Sequence, residues 1–226
     1  MRSIEPIEPI EPIEPIELVI FDCDGVLVDS ERLSVEIDRR VLADLGWSLS
    51  REQILHRFVG RSSEHFRAEV EAYLGQPLRD DWETPYQPWY DDAFERDLTA
   101  VPGVEAALDE IPVAKCVASS GTHAKIRRTL GLTGLLPRFE GRIFSADDVQ
   151  NGKPAPDLFL HAAEQLGVVP KRCAVVEDSR FGVEAACAAG MRVFGYAGGL
   201  TPVDWLERGG ATVFTDMIEL PTLMRR

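Results

Sequence analysis

The sequence predicts an α/β fold: a parallel sheet with helices on both faces and an all-helical block inserted after its first strand. Three observations carry this. An apolar run, Leu18-Val19-Ile20-Phe21, stands alone near the N-terminus and has the length and composition of a buried strand. Residues 51–98 hold apolar positions at helical spacing and no convincing strand. From Pro102-Gly103 onward, strand-like runs and helix-like repeats alternate, which implies parallel strands joined by crossover helices. With 226 residues, 45% of them hydrophobic, the chain suffices for one sizeable domain or a core plus a smaller one.

Taken in order, residues 1–16 form a low-complexity arm in which Ile-Glu-Pro occurs four times between Ile4 and Pro15. Proline at every third position removes amide donors and favours polyproline II, so a solvated, extended leader is expected there. After the first strand, Ser30 can cap a helix running to about Leu45 and stopped by Gly46. Ile54, Leu55 and Phe58, then Phe66, Val70 and Leu74, set out further helices. Trp82, Tyr86, Trp89 and Tyr90 read as the core of a small helical bundle rather than a ligand platform. Beyond Pro102, helices are expected over 104–111, 122–130, 157–166 and 181–189, and strands over 113–118, 142–145, 173–176 and 192–196. The predicted division is an arm (1–16), a core (17–33 and 100–226) and a helical cap (34–99), hinged near 33–36 and 98–102.

Composition narrows the partners. A formal net charge of −14 disfavours nucleic acid and anionic membranes. No apolar stretch approaches a membrane span, and the N-terminus lacks a signal-peptide pattern, so a cytoplasmic protein is expected. The cysteines (Cys23, Cys116, Cys173 and Cys187) show no C-x-x-C spacing, hence no zinc site or disulfide framework. Cys23 and Cys116, in apparent strands, read as buried thiols.

The chemistry starts where the first strand ends, at Asp22-Cys23-Asp24-Gly25. Burying carboxylates costs free energy unless they are paired or metal-bound. Side chains two apart on extended chain point the same way, so Asp22 and Asp24 face one site and Cys23 the other side. An EF-hand loop fails as an alternative: Val26 stands where its third acid belongs, and the glycine comes too early. Aligned carboxylates at a strand end suit magnesium-assisted phosphoryl transfer through an aspartyl intermediate. In an open parallel sheet, ligands sit at the carboxyl ends of strands. Three more polar clusters fall there. Ser119-Ser120-Gly121-Thr122 offers hydroxyls and amides to a phosphate oxygen, and is equally an ordinary helix cap. Lys153, in Gly152-Lys153-Pro154-Ala155-Pro156, is a candidate point charge against a phosphoryl group, or else a surface lysine in a proline turn. Glu177-Asp178-Ser179 repeats the acidic strand end, and magnesium takes one or two such carboxylates.

In that order, the four clusters resemble the signatures of the haloacid dehalogenase (HAD) superfamily, over roughly residues 17–199. The nearest subgroup is similar to β-phosphoglucomutase-like sugar phosphatases. The resemblance implies a Rossmann-like core with a helical cap and a magnesium-dependent phosphatase acting on a small phosphorylated metabolite, a sugar or sugar-acid phosphate. It implies Asp22 as nucleophile, Asp24 as general acid and base, and Lys153, Ser119 and Ser120 on the phosphoryl group. Magnesium would be held by Asp22, the backbone carbonyl of Asp24 and Asp178, with Glu177 in support. Arg57, Gly60 and Arg61 are the cap residues expected near substrate. A mutase is the runner-up, but Val59, Ser63 and Ser34 stand where its cap pair and hinge histidine belong. A phosphonate hydrolase lacks its cap lysine, since no lysine precedes Lys115. A catalytically silent binding protein on the same fold is the alternative from another class. The four histidines show no metal spacing, and His123 is expected as an exposed helix residue. A monomer or weak dimer is expected.

Overall fold

In the computed structural model, the described residues are 14–59 and 63–225. Most of the Ile-Glu-Pro arm, and with it Gly60 and Arg61, lies outside them. Six parallel strands form one sheet: β1 (Leu18–Phe21), β2 (Ala114–Ser119), β3 (Ile143–Ser145), β4 (Cys173–Glu177), β5 (Arg192–Tyr196) and β6 (Thr212–Phe214). Their order is β3-β2-β1-β4-β5-β6. The chain therefore winds outward from β1 in one direction and then restarts beside it in the other, with β1 at the switch point. The fold is the α/β, Rossmann-like sheet that the sequence predicts.

Helices α1 (Glu31–Asp44), α2 (Arg51–Phe58), α3 (Ser63–Leu74) and α4 (Gln87–Asp97) all lie between β1 and β2 in sequence. The rest are α5 (Val104–Glu110), α6 (His123–Leu132), α7 (Leu136–Phe139), α8 (Asp157–Gln165), α9 (Arg180–Ala188), α10 (Val203–Arg208) and α11 (Leu220–Leu223). The chain entering the helical segment runs beside the chain leaving it. Asp29 N donates to Thr99 O and Val101 N to Leu27 O, with an antiparallel bridge between Val28 and Ala100.

The pleat of β1 divides the core. Val19 and Phe21 join Leu108, Ile126, Leu130 and Phe139 on one face, while Leu18 and Ile20 join Leu158, Phe159, Val175 and Val183 on the other. Every residue of β1 is fully buried, which explains its unbroken apolar run. A third cluster, Val35, Leu42, Ile54, Phe58 and Val70, holds α1, α2 and α3 together. Tyr86 is buried against the first cluster, and Trp82, Trp89 and Tyr90 pack on it, so these aromatics are core as expected. Cys23 and Cys116 are buried free thiols. No helix among the described residues is long and apolar enough to cross a membrane.

Where sequence and structure differ, the differences are local. β2 and β4 each reach one residue past the predicted end, to Ser119 and Glu177, because those polar residues still pair in the sheet: Ser119 is in register with Ser145, and Glu177 with Gly195. β6, α7, α10 and α11 were not expected; they are three to six residues long. Ser30 does precede α1, but its hydroxyl makes no cap bond. It donates instead to Asp24 Oδ1 at 2.5 Å.

Candidate active site

The register of the sheet builds the site. Phe21 lies level with Val117 on one side and Val176 on the other, so β1, β2 and β4 end within two residues of one another. Asp22 N donates to Val176 O at 2.9 Å, carrying the sheet pairing one residue further. Asp22, Ser119, Glu177 and Asp178 thereby meet at one edge. They line a cleft of about 690 Å³ together with Asp24, Ser30, Glu31, Ser120, Lys125 and Lys153. On its other side the cleft is lined by Phe58, Val59 and Ser63 from the helical segment.

Lys153 is the hub. Its Nζ donates to Asp22 Oδ1 and Glu177 Oε1, both at 2.7 Å, and to Ala118 O at 3.2 Å. The other Glu177 oxygen accepts from Ser179 N and Ser179 Oγ. With Asp22 7% exposed and Glu177 0%, these contacts are strong in a dry setting. Burial pulls the Lys153 ammonium down, but the charges of Asp22 and Glu177 outweigh it and the lysine stays protonated. Burial pushes the Asp22 carboxyl up to about 7, against the pull of Lys153 and with the charges of Glu177 and Asp24 adding to the rise.

Asp24 is held differently. Its Oδ1 accepts from Ser30 and its Oδ2 from Lys125 Nζ at 2.8 Å. Burial raises this carboxyl too, but the charge and hydrogen bond of Lys125, with the Ser30 hydroxyl, bring it below its ordinary value. Cys23, between the two aspartates, faces away and meets Thr129 Oγ1 at 3.6 Å. Ser119 is 1% exposed and its Oγ accepts from Gly121 N, whereas Ser120 is exposed at the cleft; the cap of α6 is Thr122, which accepts from Lys125 N.

Two glycines make the close packing of acids feasible. A Cβ on Gly25, where φ is +75°, would sit 2.1 Å from Asp178 Oδ2, and one on Gly182 would sit 1.7 Å from Glu177 Oε1. The residues present fit a divalent cation. One carboxylate oxygen from each of Asp22, Glu177 and Asp178 falls within 4.8 Å of the others. Asp178 is 2% exposed and its Oδ2 has no hydrogen-bond partner. An anionic oxygen buried without a donor is costly, and a hard cation is the chemistry that relieves it.

Not every candidate comes to the cleft. Arg57 points elsewhere, pairing with Glu69 at 2.9 Å and lying over the Trp47 ring. His123, expected as an exposed residue, bonds Asp148 and does not line the cleft. Ser30, Lys125 and Glu31 do line it, and the sequence reading assigned none of them to the site. The available signal was weak: Ser30 and Glu31 follow Asp24 by six and seven residues, and Lys125 falls in the first turn of a helix that starts at a strand end.

Known proteins resemble this chain over almost its whole length. A 6-phosphogluconate phosphatase of Escherichia coli K12 is 32% identical over 92% of the chain and 94% of its own length. A phosphorylated carbohydrates phosphatase of Thermotoga maritima is 31% identical over 92% and 97%. Among solved structures, a conserved haloacid dehalogenase-like protein of Agrobacterium tumefaciens superposes with a TM-score of 0.82 at 38% identity, covering 93% of this chain and 98% of that one. The haloacid dehalogenase-like hydrolase profile matches residues 19–196, the span that carries β1 through β5 and every polar strand end described above. On that match, the chain belongs to the haloacid dehalogenase-like hydrolase family.

Proposed function

We propose that the protein is a magnesium-dependent phosphatase that releases inorganic phosphate from a small phosphorylated sugar or sugar acid through an aspartyl phosphate on Asp22. The observation that carries this is the pairing of roles at one strand end. A carboxylate braced by a buried lysine stands two residues from a second carboxylate held by Ser30 and Lys125. The substrate class rests on the two phosphatase relatives.

Asp22 supplies the nucleophilic oxygen that attacks phosphorus as the ester P–O bond breaks. Lys153 fixes the Asp22 carboxylate and offers positive charge where the phosphoryl oxygens gather. The Ser119 and Ser120 region at the end of β2 holds those oxygens. Asp24 gives a proton to the departing oxygen, then takes one from the water that attacks phosphorus and frees Asp22. Resting Asp24 is anionic against Lys125, so it must take up a proton from solvent before the first of these steps; an incoming phosphoryl anion that draws Lys125 away raises the carboxyl's affinity for that proton. Asp22, the Asp24 backbone carbonyl and Asp178 would hold magnesium, which when bound would neutralise charge on the phosphoryl group. Glu177, already bonded by Lys153 and Ser179, supports the site by positioning Lys153. Residues 34–99 act as the cap that covers it.

Val59, Ser63 and Ser34 line the cleft where a mutase needs cations and a histidine, so water wins the intermediate. The test is to supply magnesium and a panel of sugar and sugar-acid phosphates, with a hexose 1-phosphate plus trace bisphosphate included. Phosphate release that a chelator stops is expected. Isomer forming much faster than phosphate makes the protein a mutase. No turnover of any ester makes it a binding protein.

A further inference from the structure

Glu31 opens α1 and lines the cleft, yet the mechanism above gives it no task. Glu31 and Asp178 both line the cleft, and their carboxylates are near enough to interact directly. Neither Glu31 Oε2 nor Asp178 Oδ2 finds a donor, and both atoms are buried. Two carboxylates in contact repel unless a proton or a cation lies between or beside them. Among the described residues, the lysines that line the cleft do not serve this pair: Lys153 is spent on Asp22 and Glu177, and Lys125 on Asp24. Two buried oxygens without a donor, on neighbouring carboxylates, mark a place for a proton or a cation that no described residue provides.

We propose that Glu31 is an outer carboxylate of the metal centre, acting through Asp178 rather than joining the Asp22, Glu177 and Asp178 group, so that the first turn of α1 contributes to cation affinity. This rests on the metal-dependent reading of the site. It also ties metal loading to the helix that leads into the helical segment, since α1 carries Val35 and Leu42 into the cluster with α2 and α3.

The experiment is calorimetric titration of magnesium chloride into metal-stripped protein without substrate, paired with melting temperatures in chelator. Wild type, Glu31→Gln, Glu31→Asp and Asp178→Asn are compared. Glu31→Gln should weaken magnesium binding about tenfold or more, the loss typical for groups that support metal ligands. Glu31→Asp, which keeps the charge, should retain most of the affinity. In chelator, Glu31→Gln should melt no lower than wild type, because it removes a like-charge contact. Wild-type affinity in Glu31→Gln overturns the proposal, as does a raised KM for a phosphorylated sugar with magnesium affinity intact, which makes Glu31 a substrate group. A lower melting temperature in chelator also overturns it, by showing a structural role. If wild type itself binds no magnesium, the metal-dependent reading falls first. If wild type binds and only Asp178→Asn is impaired, this inference falls alone.

Discussion

The cleft and the helical segment use the same charged residue types to opposite ends. In the helical segment, acids and arginines pair on the surface: Glu36 with Arg39, Glu69 with Arg57, Glu71 with Arg67. Among the described residues lining the cleft, eight acids face two lysines, Lys125 and Lys153. Exposed pairs are each worth little and can be exchanged at small cost. A buried surplus of carboxylate works against folding and persists where something other than stability requires it. The difference separates charges that decorate a surface from charges that, on the function proposed above, serve a metal and a phosphoryl group.

The largest effect that would break this contrast lies at Asp22. Asp22→Asn should abolish steady-state phosphate release and leave no acid-stable phosphoenzyme, because the amide cannot attack phosphorus. Asp24→Asn keeps the nucleophile and removes the proton carrier, so turnover should fall about 10²–10⁴-fold, the usual worth of general acid–base catalysis. Phosphate release and trapped phosphoenzyme measured on both variants check this. Near-wild-type turnover in Asp22→Asn would place the nucleophile elsewhere.

Gly182→Ala probes the same region without touching an ionisable group. The added Cβ would fall 1.7 Å from Glu177 Oε1 and 1.9 Å from its Cδ, so the carboxylate must move. Glu177 orients Lys153, and Lys153 orients Asp22. Turnover should drop by at least an order of magnitude while circular dichroism stays that of the wild type, since displacements of about 1 Å at a reacting group cost roughly 10²-fold. An unchanged rate would show that the Lys153 bridge is dispensable.

How far the sequence reveals this site depends on how local each contact is. β1, the Asp22-x-Asp24 pair and the acidic end of β4 are legible because strand length and two-residue periodicity are short-range properties. The Lys125–Asp24 contact joins residues 101 apart, and the Lys153–Asp22 contact residues 131 apart. Only the order of the polar clusters along the chain hinted at the second, and only the place of Lys125 in a helix turn after a strand end hinted at the first. Ser30 misleads for a physical reason: a serine before a helix normally caps it, but here a buried carboxylate competes for the hydroxyl. The pair Glu31 and Asp178 is invisible in sequence, since each alone is an ordinary acid in or just before the first turn of a helix. β6 escapes because three residues at a sheet edge carry too little periodicity to stand out.

Asp38 lies between the two regions, on α1 but lining the cleft, and it sharpens the comparison through pH. Burial pushes its carboxyl from 3.8 up to about 6, while the Tyr90 hydroxyl that it accepts from pulls the other way. A raised acid holds its proton longer in the folded state than in the unfolded one. Its contribution to stability is therefore full below about pH 4 and is lost as pH rises through about 6. The shift of some two units corresponds to at most about 3 kcal/mol. Asp38→Asn keeps an acceptor for Tyr90 and cannot ionise. Denaturant unfolding at a series of pH values should show the variant gaining on wild type between pH 4 and 7, with little change in the difference above that. A constant difference would mean that Asp38 is solvated.

The smallest effect is expected at Arg57, and there the comparison makes its most exposed claim. Sequence placed this arginine near substrate, because it precedes Gly60 at the end of a cap helix. In the structure its guanidinium pairs with Glu69 and lies 5.5 Å from the centre of the Trp47 ring, both within the helical segment, and it does not line the cleft. If surface pairs of this segment only decorate it, Arg57→Ala removes one exposed ion pair and one loose ring contact, each worth about 0.2–1 kcal/mol. The melting temperature should fall by a few degrees at most, and kcat/KM for the best phosphorylated sugar should stay within about twofold of wild type. The two readings part on kinetics, not on stability. A tenfold loss of kcat/KM at unchanged melting temperature would mean that the helical segment swings Arg57 onto the substrate during turnover. That would make the segment's charges part of the site, and the line drawn between decorative and functional charge would have to move.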